Sequence, residues 1–157
     1  MTKEFNWQVK SFEELTTHEL YDFLKLRIDV FVVEQTCYYP DLDNLDRHKD
    51  ALHVFAYDEK TMIAYCRILA PDLVYEGESA IGRVIVSTHY RGQKLGYQLM
   101  ECALNATEGH WPEASCHISA QQHLKNFYQS LGFRQVSDMY LEDGIPHIGM
   151  RRSVKTE

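Results

Sequence analysis

A strand, a glycine-bearing turn, a long helix and a second strand follow one another without interruption between Ser79 and Ser119. No other feature constrains the fold as much. "SAIGRVIVS" is rich in β-branched residues and reads as a strand. The segment "THYRGQKLGYQLMECALNATEG" places Leu95, Leu99, Cys102, Ala103 and Ala106 on one helical face, with Gly109 suited to the exit. "SCHIS" then supplies a short strand. Two strands joined through a helix that packs back on them become parallel neighbours, by a right-handed crossover.

The flanking segments extend this unit into a sheet. "FNWQVK" reads as a first strand, and "SFEEL" and "TTHEL" each carry a Ser or Thr three residues before a Glu, the capping-box pattern. Leu20, Phe23, Leu24, Ile28 and Phe31 then recur at helical spacing, which predicts a helix from about Thr17 to Val33. "LHVFAYD" and "TMIAYCRILA", separated by Glu59-Lys60, predict a hairpin. After "SCHIS" come a helix, "QQHLKNFYQSLG", ended by Gly132, and two strands, "FRQV" and "PHIGMRR". The order predicts an α/β chain with a mixed sheet and helices on both faces.

A length of 157 residues suits one domain, 1–157, with no linker or repeat dividing it. The hydrophobic fraction of 45% and charged fraction of 25% are those of a soluble globular protein. No apolar run approaches the roughly 20 residues that span a bilayer, and "MTKEFNWQVK" lacks a signal-peptide core. The expectation is a cytoplasmic protein that engages no membrane. Sixteen Lys and Arg against 23 Asp and Glu give a formal charge of −7, which disfavours nucleic-acid binding. Cys37, Cys66, Cys102 and Cys116 form no CxxC pair, so neither a zinc knuckle nor a redox motif is indicated.

The turn "RGQKLG" carries the first chemistry. A helix N-terminus leaves backbone N–H groups unpaired, and a glycine turn lets a phosphate reach them. Neither the GK[ST] of a nucleotide loop nor the GxGxxG of a dinucleotide site is present. Lys94 stands where a third glycine would be usual. Only residues needing φ > 0 or close ligand approach must be glycine, so Lys94 is expected to be already helical and to offer its N–H. Tyr128, in "FYQSLGF", reads either as a packing aromatic or as a functional phenol. Arg67 and Arg83 lie inside apolar strands. Period-two alternation puts Arg67 with Tyr65 and Leu69, and Arg83 with Ile81 and Ile85. An arginine on a covered face needs an anionic partner. That partner is Glu34, Asp41 or Asp43, or a substrate carboxylate. "DLDNLDRHKD" departs from a calcium loop at Leu45 and Asp46, so no metal is expected.

Taken together, "RGQKLG" and "FYQSLGF" resemble the motifs of the GCN5-related N-acetyltransferases (GNAT). "LKLRIDVFVVEQTCYYPDLDNLD", "AYCRIL", "IGRVIVS", "HLKNFYQSLGF" and "EDGIPHIGM" are similar to the ElaA-like subfamily, in which a lysine at position 94 is usual. The resemblance implies a GNAT-like domain whose central parallel pair, "RVIVS" and "CHIS", splays apart for CoA. It implies acetyl transfer from acetyl-CoA, a co-substrate, to a primary amine of a small acceptor by direct attack in a ternary complex. A homodimer is the assembly it favours.

The resemblance also assigns residues. The CoA pyrophosphate would sit on the backbone of Arg91, Gly92, Gln93, Lys94, Leu95 and Gly96. The backbone of Val84, Ile85 and Val86 would bond the pantetheine and thioester, and Gln121 would contact the cofactor. Tyr128 would protonate the departing thiolate. The base is open among Glu34, His147, His53, Cys37 and a water relay. Arg67 and Arg83 would hold a carboxylate beside the acceptor amine, if they are not neutralised internally. Two other readings stay open: transfer of longer acyl chains, since "LRIDVFVVEQ" also resembles the start of acyl-homoserine lactone synthases, and a non-catalytic CoA-binding module.

Overall fold

Reciprocal caps start the first helix. Thr16 accepts from the Glu19 amide through Oγ1 at 3.0 Å, and the Thr16 amide donates to Glu19 Oε1 at 2.9 Å. The same box joins Ser11 and Glu14. The computed structural model describes residues 5–92 and 94–154.

Its strands are β1 (Trp7–Ser11), β2 (Ala51–Asp58), β3 (Thr61–Leu69), β4 (Glu78–Val86), β5 (Ser115–Gln121), β6 (Arg134–Gln135), β7 (Tyr140–Glu142) and β8 (Ile145–Arg152). The α-helices are α1 (Thr17–Arg27), α2 (Leu95–His110) and α3 (Lys125–Ser130). All eight strands share one sheet, ordered β1-β2-β3-β4-β5-β8-β6, with β7 also paired to β8. Only β4 and β5 run parallel among the described pairs.

Two apolar layers cover the sheet. Phe23 of α1 packs on Phe55, Met62 and Tyr65. Leu99, Met100 and Ala103 of α2 pack on Ala64, Cys66 and Ile68 of β3. Each such fully buried large side chain contributes about 1.5–3 kcal/mol. Tyr128 of α3 joins this second layer with Ile118 and Ile148.

Three local expectations are corrected. The first helix continues to Glu34, but from Ile28 it is a π-helix, with wider i→i+5 turns. Gly109 lies inside the last turn of α2, which ends at His110. β7 forms a further strand before the last one, joined to β8 across Asp143 (φ 51) and Gly144 (φ 77). Two successive positive φ values are those of a tight hairpin turn, and Asp-Gly is its signature.

A fourth correction concerns β4. Tyr65 pairs with Ile85 and Arg67 with Gly82, so Cys66 alone opposes Arg83 and Val84. This is a β-bulge, and Arg83 occupies it with φ 54. The extra residue breaks the alternation. Ile81, opposite Ile68, belongs to the α2 layer, whereas Ile85 lies opposite Tyr65 of the α1 layer. Arg83 therefore does not share a face with both isoleucines.

Candidate active site

The parallel ladder is short. β4 and β5 pair only at Glu78–Ser115, Ser79–Cys116 and Ala80–His117. Beyond His117 the strands part, and the gap opens into a cavity of about 140 Å³. The bulge at Arg83 bends β4 at this point. Gly82, Arg83 and Val84 form one wall, and Ile118, Ser119 and Gln121 form the other. The π-helix and the segment after it contribute Phe31, Gln35, Cys37 and Tyr39. Glu142, Asp143 and His147 close the end beside the β7–β8 hairpin.

Tyr128 also lines the cavity and is only 6% exposed. Its ring packs edge-on against Phe127 and Phe133. The hydroxyl has no hydrogen-bond partner among the described residues and is accessible from the cavity. Burial pushes the phenol well above its ordinary value, so it stays protonated at neutral pH.

The candidate bases separate clearly. His147 Nδ1 lies 2.8 Å from the Ile145 carbonyl, which only accepts, so that nitrogen carries the proton. Nε2 then faces Glu142 Oε2 at 3.3 Å. His53 is fully buried in a stack with Phe23 and Tyr65. Its Nε2–H donates to the Asp46 carbonyl at 2.8 Å and its Nδ1 accepts from the Tyr65 hydroxyl at 2.7 Å, so neither nitrogen is free for substrate. Burial, with the nearby Asp143 and Glu142 charges, pushes the Cys37 thiol up. Glu34, read as a candidate base, is instead held by Arg91, which donates to both of its oxygens at 2.6 and 3.0 Å. That pairing holds its carboxyl below the ordinary range, the wrong direction for a base. Glu34 lines a separate groove with Ser87 and Thr88.

The arginines in the strands are taken up by aspartates. Arg27, fully buried, donates to Asp41 Oδ2 at 2.8 Å and Asp46 Oδ1 at 2.6 Å. Arg67 donates to Asp46 at 3.0 Å and to both oxygens of Asp43 at 2.8 and 2.9 Å. Arg83 donates to Asp41 Oδ1 at 2.9 Å and lies against the Tyr39 ring. Burial opposes ionisation of Asp43, yet the Arg67 hydrogen bonds bring its carboxyl below the ordinary value. This is the internal-pairing alternative. Arg67 lies outside the cavity lining, while Arg83 borders it with its charge already matched. Arg27 as a buried cation and Asp46 as an arginine partner are not among the residues singled out from the sequence. Arg27 follows Phe23 by four residues, on the buried stripe of α1, and that spacing was the available signal.

The phosphate turn also differs from expectation. Lys94 is not helical. It caps α2 in the left-handed region, at φ 61 and ψ 19, after Gly92 at φ 85. Glycine is therefore the better backbone residue at position 94, and lysine costs about 1–2 kcal/mol there. Lys94→Gly is expected to raise Tm by about 2–8 °C, allowing about 2–4 °C per kcal/mol for a protein of this size. Calorimetric melting checks this, and an unchanged or lower Tm contradicts the strain. Arg91 points away from the turn, onto Glu34 and the Val86 carbonyl (3.1 Å), so its side chain is engaged elsewhere. Gln93 lies outside the described residues. Gly96 packs under the Phe127 ring, where a Cβ would meet Cζ at 3.5 Å.

Comparison with known proteins places these features. Residues 25–154 match the model described as Acetyltransferase (GNAT) domain. The chain is 48% identical to Protein ElaA of Escherichia coli K12 over 94% of its length and 96% of that protein's. It is 36% identical to a protein of Synechocystis over 94% of each chain. The fold superposes on the crystal structure of an acyl-CoA N-acyltransferase from Pseudomonas aeruginosa with TM-score 0.91 and 47% identity, covering 96% of this chain and 100% of that one. The acyl-homoserine lactone synthase BjaI shares the fold alone, at TM-score 0.73 and 17% identity.

Proposed function

Because the chain belongs to the GNAT acetyltransferase family, we propose that it transfers an acetyl group from acetyl-CoA to the primary amine of a small acceptor by direct attack in a ternary complex. The observation that carries this reading is Tyr128, a buried side chain whose unpartnered hydroxyl faces the gap between β4 and β5. A hydroxyl held in that state is a proton donor awaiting an acceptor, and a departing thiolate is one.

The steps follow from the lining. The pantetheine arm lies along Arg83–Val86, whose β5-side edge has no strand partner among the described residues. Backbone N–H groups of Gly92, Lys94, Leu95 and Gly96 receive the pyrophosphate, with the α2 dipole behind them. Gln121, across the ladder from His147, contacts the cofactor arm. His147 Nε2 takes one proton from the acceptor ammonium. The freed amine attacks the thioester carbon, the C–S bond breaks, Tyr128 protonates the sulfur, and the extra proton left on the new amide nitrogen passes to the Tyr128 phenolate and restores the phenol. A cavity of about 140 Å³, against roughly 300–1,000 Å³ for pockets that hold drug-sized ligands, favours a short acyl group over a long one.

The test is acetyl-CoA binding by calorimetry together with release of CoA thiol in the presence of amines. Binding, and turnover that falls from acetyl- to hexanoyl-CoA, are the expected results. Failure to bind acetyl-CoA rejects the proposal, and tight binding without transfer to any amine leaves a CoA-binding module instead.

A further inference from the structure

The cavity has an unbalanced charge. Of its basic lining residues, Arg83 is already matched by Asp41. The two acids of its lining, Glu142 and Asp143, have no Lys or Arg partner among the described residues. Glu142 Oε2 lies 3.3 Å from His147 Nε2, and the His147 ring is oriented by its Nδ1–H bond to the Ile145 carbonyl. An ammonium has three N–H donors, enough to bond a carboxylate oxygen and an unprotonated imidazole nitrogen at once. Ser119 Oγ donates to Glu142 Oε1 at 3.3 Å and is itself hydrogen-bonded to the Tyr140 hydroxyl, so the carboxylate is held in place. Asp143 makes no hydrogen bond or ion pair among the described residues, and its tight turn fixes its position beside the cavity. Tyr128, a buried side chain whose unpartnered hydroxyl lines the same cavity, is an independent sign that a ligand completes it.

We propose that the acceptor is a short dicationic amine, with its reacting ammonium seated on Glu142 and His147 and its second cationic nitrogen read by Asp143. This rests on the acetyl-transfer reading and reverses the expectation of a carboxylate-bearing acceptor, because Arg67 and Arg83 are occupied by aspartates. The chain's formal charge of −7 works in the same direction, raising the local concentration of cations. Glu142 and Asp143 are specificity-determining residues here. A carboxylate on the acceptor would meet two like charges, which is discrimination by repulsion.

Butylamine, 1,4-diaminobutane and 4-aminobutanoate share a four-carbon chain and end in a neutral, a cationic and an anionic group. Acetyl transfer to each gives KM and kcat, and calorimetry gives binding of each to the CoA-saturated protein. The diamine is expected to show a KM and Kd about 1.5–5-fold below butylamine, as one partly exposed charge pair gives, and 4-aminobutanoate the weakest values. Asp143→Asn keeps the turn, since Asn adopts the left-handed region readily. It should erase the diamine's advantage over butylamine. Glu142→Gln should raise KM for both amines. A diamine that binds no better than butylamine, or a preference for 4-aminobutanoate, sinks the proposal. The binding arm decides this even without transfer, whereas loss of acetyl-CoA binding by the unaltered protein counts against the transferase reading itself.

Discussion

Tyr128→Phe is expected to lower kcat for acyl transfer by about a hundredfold or more, the range of a positioned acid. The substitution removes only the hydroxyl, and that hydroxyl has no hydrogen-bond partner among the described residues, so no protein group there is left unsatisfied. The ring remains packed between Phe127 and Phe133. Stability and acetyl-CoA affinity should therefore change little while the chemical step slows. Burial keeps the phenol protonated, so its role is donor rather than base. Unchanged kcat in Tyr128→Phe would remove this residue from the mechanism, and a loss of melting temperature without a loss of kcat would make it a packing residue.

The second large effect concerns Asp46. Its Oδ1 accepts from Arg27 at 2.6 Å and Arg67 at 3.0 Å, and these arginines are 0% and 4% exposed. Asp46→Ala leaves two buried guanidinium groups short of an anion. Breaking a buried pair from one side costs about 3–5 kcal/mol, which lowers Tm by roughly 6–20 °C for a chain of this size. The exposed neighbour Asp50 is the comparison, where Asp50→Ala should stay within about 0.5 kcal/mol. Denaturant unfolding measures both, and equal effects at the two positions would mean that the network does not hold the loop. The network matters to the site because Asp41 binds Arg27 and Arg83 and also accepts from the Tyr39 hydroxyl at 3.1 Å. Loosening the loop would therefore move Cys37 and Tyr39 at the cavity wall.

These two residues differ in how far they can be read in advance. Tyr128 stands in a short motif, "FYQSLGF", and its place after the parallel strand follows from consecutive elements. Asp46 sits in an acidic segment whose residues could as well face water. Nothing local says that they turn inward, because their partners lie 14 to 42 residues away in the chain. Glu142 and Asp143 are intermediate. The Asp-Gly turn is a hairpin signal, but the cavity they border exists only once β5 and β8 have paired.

Elements, caps, the β2–β3 hairpin and the parallel crossover follow from periodicity and capping, which act between residues a few positions apart. Those forces operate in any context, so they are legible in the chain. Tertiary structure alone decided that β4 bulges at Arg83, that Lys94 adopts the left-handed region and that Arg91 turns toward Glu34. It also decided that three arginines are neutralised by three aspartates. Burial of a charge is set by everything packed around it, and the cost of leaving it unpaired selects partners by proximity in space, not in sequence.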